Sequence, residues 1–179
     1  WDQDFGHGFS GSIGIDVPKA SLTSDANVGK VNQRVPAVPL YLQYRWGDGS
    51  HVRASALLRP MQYRDLLSEC NRAIFGWGVQ LSGLWDFLPG FCFHYDAVYG
   101  RGITDYLCDG AGIAADGTPS VSSPGRMDTS ESLGLSVGLS YDILRNLKAN
   151  ALYSQMRVYP LGSSLHPASD YRYSQYLAL

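Results

Sequence analysis

The chain has 179 residues and a net charge of −2, and it is 45% hydrophobic, 12% aromatic and 17% charged. That length allows one ordinary domain or a piece of something larger, and the charged fraction sits below the ~25% usual for soluble globular domains. Twelve Tyr, four Trp and twenty Gly argue against a helical bundle, a coiled coil and a disordered chain. No run of about 18 apolar residues offers a membrane helix, whereas a transmembrane β-barrel, whose signal is alternation, stays open.

The chain opens Trp1-Asp2-Gln3-Asp4. This is not a charged stretch followed by an apolar one, so the reading is a cytosolic protein or a chain that starts after processing. A first strand fits residues 8–18. A long polar connection follows at about 19–38. Residues 40–46 put Leu40, Leu42, Tyr44 and Trp46 on one face and Tyr41, Gln43 and Arg45 on the other. The turn Gly47-Asp48-Gly49-Ser50 is a tight hairpin. Residues 52–59, within a strand at 51–64, set Val52, Ala54, Ala56 and Leu58 against Arg53, Ser55, Leu57 and Arg59. A second long connection is expected at 65–73. Residues 75–86 alternate Phe75, Trp77, Val79, Leu81 and Trp85 with Gly76, Gly78, Gln80, Ser82 and Asp86. After the short turn at Leu88-Pro89-Gly90 comes a noisier strand at 91–100, within 91–105. Residues 107–131 form a long loop rich in Gly, Asp, Ser and Pro. Residues 133–142 show the cleanest pattern, with Leu133, Leu135, Val137, Leu139 and Tyr141 against Gly134, Ser136, Gly138, Ser140 and Asp142. Such period-two alternation makes one greasy and one wet face. The turn Leu144-Arg145-Asn146 leads to a strand at 147–159, where Gln155 and Arg157 share parity with Ala149, Ala151 and Tyr153. That predicts a bulge or an interface contact. A connection at 160–170 precedes a last strand at 171–179.

Short turns thus alternate with long connections, the habit of outer-membrane barrels. The long loops are read as facing outside. Strand lengths of about 8–14 fit the ~9–11 residues of a tilted spanning strand. Trp46, Trp85, Phe91 and Tyr141 sit beside the short turns, and Tyr63 and Tyr106 near the far ends. Aromatic belts of this kind favour the two headgroup regions. A soluble β-sandwich would explain the alternation but not the rhythm of the connections.

Five segments carry a resemblance: HVRASALLRPMQYRD at 51–65, NRAIFGWGVQLSG at 71–83, AVYGRGITDYL at 97–107, LYSQMRVY at 152–159 and RYSQYLA at 172–178. In this order they resemble the DcaP-like outer-membrane porins over roughly residues 7–179. The resemblance implies a trimeric β-barrel channel in the outer membrane of a Gram-negative bacterium, in contact with outer-membrane lipid and lipopolysaccharide. It implies uptake of dicarboxylates and other small anionic solutes. The family barrel has sixteen strands and about eight are expected here, so the chain reads as a single barrel segment, 1–179, without separate domains. The ending Tyr176-Leu177-Ala178-Leu179 stops mid-pattern, which fits truncation. A closed eight-stranded barrel would be filled by its own side chains, yet the wet faces carry Gly and Ser, which suit a wide lumen.

Eleven Arg against three Lys suit fixed, directional recognition of carboxylate or phosphate. If the wet faces line a channel, Arg45, Arg53 and Arg59 project into it, with Gln43, Gln80, Ser55 and Tyr41 on the same surface. Arg101 would extend this ladder. Arg64 and Arg72 would draw anions to the mouth, and Arg157 and Arg172 are weaker candidates. Guanidinium arrays attract anions and offer bidentate hydrogen bonds. The competing reading pairs these arginines with Asp96, Asp142 or loop acids. Enzyme chemistry is not expected, because His94 and Asp96 share a face without a nucleophile beside them. The remaining histidines lack metal spacing, so no cofactor or metal is expected, and no basic run suggests nucleic acid. Cys70 and Cys108 fall in loops read as external and are candidates for a disulfide. The alternatives are a small closed outer-membrane barrel with a structural or adhesion role, and a secreted β-sandwich binding module.

Overall fold

A computed structural model describes residues 1–17, 19–47, 49–107, 116–144, 147–159 and the backbone of 172–178. The strands are β1 (Asp2–Gly6), β2 (Phe9–Ile13), β3 (Val28–Lys30), β4 (Val38–Trp46), β5 (Ser50–Asp65), β6 (Cys70–Leu88), β7 (Phe91–Arg101), β8 (Gly117–Pro119), β9 (Met127–Thr129), β10 (Glu131–Leu144), β11 (Leu147–Tyr159) and β12 (Arg172–Ala178). Among the described residues a 3-10 turn spans Thr104–Tyr106. The main sheet is an antiparallel meander in the order β1-β2-β4-β5-β6-β7-β10-β11-β12, with β3 pairing β5, and β8 and β9 form a separate hairpin. Among the described residues β1 and β12 do not pair, so the sheet is an open wall.

Alternation decides which face is which. On β10, Leu133, Leu135, Leu139 and Tyr141 are 37%, 40%, 41% and 39% exposed. Cross-strand register extends this face through Tyr99, Ala97 and Tyr95 on β7 and through Val79, Leu81 and Trp85 on β6. It continues through Ala54 and Ala56 on β5 to Leu40, Leu42 and Tyr44 on β4. A soluble monomer rarely exposes a contiguous apolar face of this extent. Aromatic rings cluster at both ends of it. Phe91 stacks on Tyr141 at 4.1 Å and Phe9 meets Tyr44 at 4.5 Å near the short turns, and Trp77 meets Tyr99 at 5.8 Å near the long connections. These belts match the amphipathic headgroup region.

The short turns are tight because glycine supplies the backbone they need. Gly47 and Gly90 sit at φ +58° and +79°, the left-handed region that hairpin turns use and side chains resist.

The structure corrects several boundaries. The connection expected at 65–73 is only residues 66–69, between β5 and β6. Asp65 folds it: its carboxylate accepts from the backbone of Leu67 and Ser68 at 3.0 and 3.1 Å and from Arg72 at 2.8 Å. β5 and β6 run 16 and 19 residues, past the ~9–11 that a spanning strand needs. They therefore stand clear of the apolar layer, where Gln62, Arg64 and Asn71 end the greasy face and the alternation is lost. β1, unforeseen, pairs with β2 through the turn at His7 and Gly8. β2 stops at Ile13 rather than 18. The register of β10 on β11 is unbroken from Glu131↔Tyr159 to Asp142↔Lys148, so the bulge considered at 147–159 is absent there. Gln155 and Arg157 lie on the outward face with Tyr153. β12 agrees with the expected strand at 171–179. Cys108 lies outside the described residues, and with it the proposed link to Cys70.

The opposite face is concave and divided along its length. Toward the long connections it is filled by chain folding inward. Residues 19–30 and 116–129 lay Leu22, Val28 and Met127 on Met61 and Tyr63 of β5. Leu107 packs on Met156 and Val158 of β11 with Val98 of β7. Glycine makes the room. A Cβ at Gly78 or Gly100 would stand 2.9 or 2.8 Å from the Ile103 side chain. The small residues at this end therefore receive the inward segment, whereas those further down leave open space.

Candidate pore-lining site

Toward the short turns the concave face is open and polar. Register places its side chains in rows across the strands. One row is Tyr41↔Ser55↔Gln80↔Val98↔Gly134↔Met156; the next is Gln43↔Arg53↔Ser82↔Asp96↔Ser136↔Ser154. A third begins Arg45↔His51↔Leu84↔His94. A space of about 680 Å³ borders Tyr41, Ser55, Gln80, Asp96, Ser136 and Ser154.

Register brings Tyr41, Gln43, Arg45, Arg53, Ser55 and Gln80 onto one surface. The side chain of Arg53 is fixed within it. Its Nε and Nη2 donate to Oε1 of the buried Gln43 at 2.9 and 2.6 Å. Its guanidinium lies over the Tyr41 ring, 4.4 Å from the centroid, a cation–π contact that orients the fork. Arg45 is exposed one row nearer the short turns. On the facing part of the wall, Asp96 accepts from Gln80 Nε2 at 2.5 Å. His94 Nε2 lies 3.4 Å from both Cys92 Sγ and Ser140 Oγ.

Two arginines behave otherwise. Arg59 shares the face of Arg53 but is only 1% exposed. Its Nη1 contacts Asp116 at 2.9 Å and its Nη2 contacts Asp105 at 3.4 Å. It also donates to the Gly102 carbonyl at 2.7 Å and to the Lys19 carbonyl at 3.1 and 2.5 Å. Its guanidinium stands 5.0 Å from the centroid of Tyr106. Arg59 is thus a fastener that ties both inward segments to β5, the pairing with loop acids that the competing reading foresaw. Arg101 pairs across the sheet with Trp77 and Glu131 and has the parity of Tyr99, so it stands on the outward face. It lies 3.3 Å from Glu131, which also accepts from the Tyr99 hydroxyl. Its parity was a readable signal, since it matches the apolar residues of its own strand.

Asp105 and Asp116 were missed, because nothing in a polar loop marks which carboxylate folds inward. Asp116 is fully buried. It accepts from the backbone of Ser21 at 2.8 Å and of Asp105 at 3.1 Å. Burial pushes its carboxyl up to about 6, against the opposing pull of Arg59. Burial, with a hydrogen bond to Asp16, likewise pushes the Tyr106 phenol up to about 12. Among the described residues no group of His, Cys, Asp and Glu could hold a metal.

An antiparallel wall with an aromatic-belted apolar face and a concave polar face is the architecture of a transmembrane β-barrel. Comparison with solved structures agrees on the fold. The crystal structure of the outer membrane channel DcaP of Acinetobacter baumannii matches with a TM-score of 0.69 at 17% identity, over 89% of this chain and 43% of that one. The chain therefore spans less than half the length of that channel. No family model matches the chain, and no curated protein matches it by sequence.

Proposed function

We propose that this sheet is part of the wall of a Gram-negative outer-membrane porin that passes small anionic solutes, dicarboxylates among them, by passive diffusion. The complete channel is read as a trimer held in outer-membrane lipid and lipopolysaccharide. The observation that supports this most is Arg53. It is held rigidly on the open concave face by Gln43 and Tyr41, with its Nη1 uncommitted among the described residues, and Arg45 stands one row away. Fixed guanidinium groups on a low-dielectric wall concentrate anions and orient carboxylates. Selection then follows from charge and width, with no bond chemistry.

The test is the reversal potential of the full-length channel in a planar bilayer under a potassium chloride gradient. Anion selectivity that weakens in Arg53→Gln and further in the double variant with Arg45→Gln supports the reading. A cation-selective pore, or folded protein that does not conduct, rejects it.

A further inference from the structure

The open half of the concave face carries one arginine and one aspartate that do not meet. Arg53 and Asp96 stand in one cross-strand row with Ser82 between them. Two strand spacings separate their backbones, about 10 Å. Each head is held by an amide on a neighbouring strand. Gln43 draws Arg53 toward β4, and Gln80 holds Asp96 from β6. Among the described residues neither has an oppositely charged partner, although both are half-buried. By contrast, Asp65 of β5 and the inward-folded Asp105 and Asp116 lie in ion pairs. Half-buried charges are usually paired, so an unpaired cation and an unpaired anion two strands apart leave both charges for a visitor. The floor between and beyond them is Ser82, Ser136 and Ser154, the last two joined at 2.8 Å. A space of about 240 Å³ opens beside Asp96, against Ser82, His94 and Ser136.

Building on the channel reading above, we propose that Arg53 and Asp96 form a dipolar selectivity site. The preferred solutes carry a carboxylate at one end and a cationic hydrogen-bond donor, an ammonium, at the other. The carboxylate takes the guanidinium of Arg53, and the ammonium takes Asp96 with the serine hydroxyls beside it. A dicarboxylate of equal length passes, but its second carboxylate faces Asp96 and is repelled. The arginines admit the solute, and Asp96 discriminates by its far end.

Glutarate and 5-aminopentanoate test this, because they share a five-carbon chain and differ at one terminus. Both fluxes are measured in liposomes carrying the full-length channel. The expected ratio is about two- to fivefold in favour of 5-aminopentanoate, the range set by solvent-exposed ion pairs. In Asp96→Asn, which keeps an acceptor for Gln80, the ratio falls toward one or inverts. Asp96→Glu keeps the preference and guards against a folding artefact. Glutarate passing as fast as 5-aminopentanoate, or a ratio unchanged in Asp96→Asn, overturns the dipolar site while an anionic reversal potential still supports the channel. A cation-selective or non-conducting channel overturns both.

Discussion

Replacing Arg59 with Met keeps most of the side-chain volume and removes the fastener. Two buried carboxylates, Asp105 and Asp116, then lose their cation, and the Lys19 and Gly102 carbonyls lose their donor. Removing one partner of a buried ion pair costs about 3–5 kcal/mol. Asp116 limits this loss, because its carboxyl already sits at about 6. Without Arg59 it rises further and takes a proton near neutral pH, so the lower end of the range, about 3 kcal/mol, is the reasoned value. Against it stand the apolar anchors Leu22, Ile103, Leu107 and Met127, each worth about 1.5–3 kcal/mol when buried. Their sum exceeds the loss, so the inward segments loosen without leaving. A loss of about 3 kcal/mol raises the open population roughly a hundredfold. Amide hydrogen exchange over residues 102–107 and 116–130 of the full-length protein in detergent reads this directly. Adding Asp116→Leu removes the stranded acid and recovers part of the protection, since a buried pair replaced by apolar groups is often neutral. Exchange in Arg59→Met within about threefold of the parent would refute the fastener.

Two further outcomes are expected. Leu135→Arg, on the apolar face near mid-strand, costs about 2–4 kcal/mol in lipid, whereas Ser136→Arg on the concave face is tolerated; urea titration in liposomes compares them, and equal cost contradicts the assignment of faces. Asp116 binds its proton more tightly in the folded segment than in a displaced one, where the ordinary value is 3.8. Docking of the segment is therefore firmest below about pH 4 as far as this group is concerned, and it weakens as pH rises from about 4 through 6, by at most about 3 kcal/mol. Exchange of the segment between pH 4 and 7, corrected for intrinsic rates, shows that slope in the parent and a flat profile in Asp116→Asn.

The wall was legible because one apolar and one polar face impose a period of two on every strand. β10 reads off its own sequence, and so do the facing of Arg53 and the tight turns at Gly47 and Gly90. Legibility fails where that constraint ends. β5 and β6 continue beyond the apolar layer, so the turn at 66–69 looked like a long loop. β1 is short and its pairing is set by the turn at His7 and Gly8, which leaves too few residues for a pattern. Arg59 has the parity of the concave face, but the segments that cover it come from residues 19–30, 102–107 and 116–130, distant in sequence. Asp116 and Asp105 acquire their role only from that covering. Arg101 was readable, and the error was to follow charge where parity pointed outward.

The central claim is that β10 stands between lipid and a water-filled lumen. Spin labels placed singly at positions 133–142 of the full-length protein in liposomes test it, with accessibility to oxygen and to a water-soluble nickel chelate measured at each. The account predicts that 133, 135, 137, 139 and 141 are open to oxygen and closed to the chelate, and that the even positions show the reverse. Odd positions closed to both reagents would mean that the apolar face packs against protein, as in a sandwich, and would contradict the channel wall.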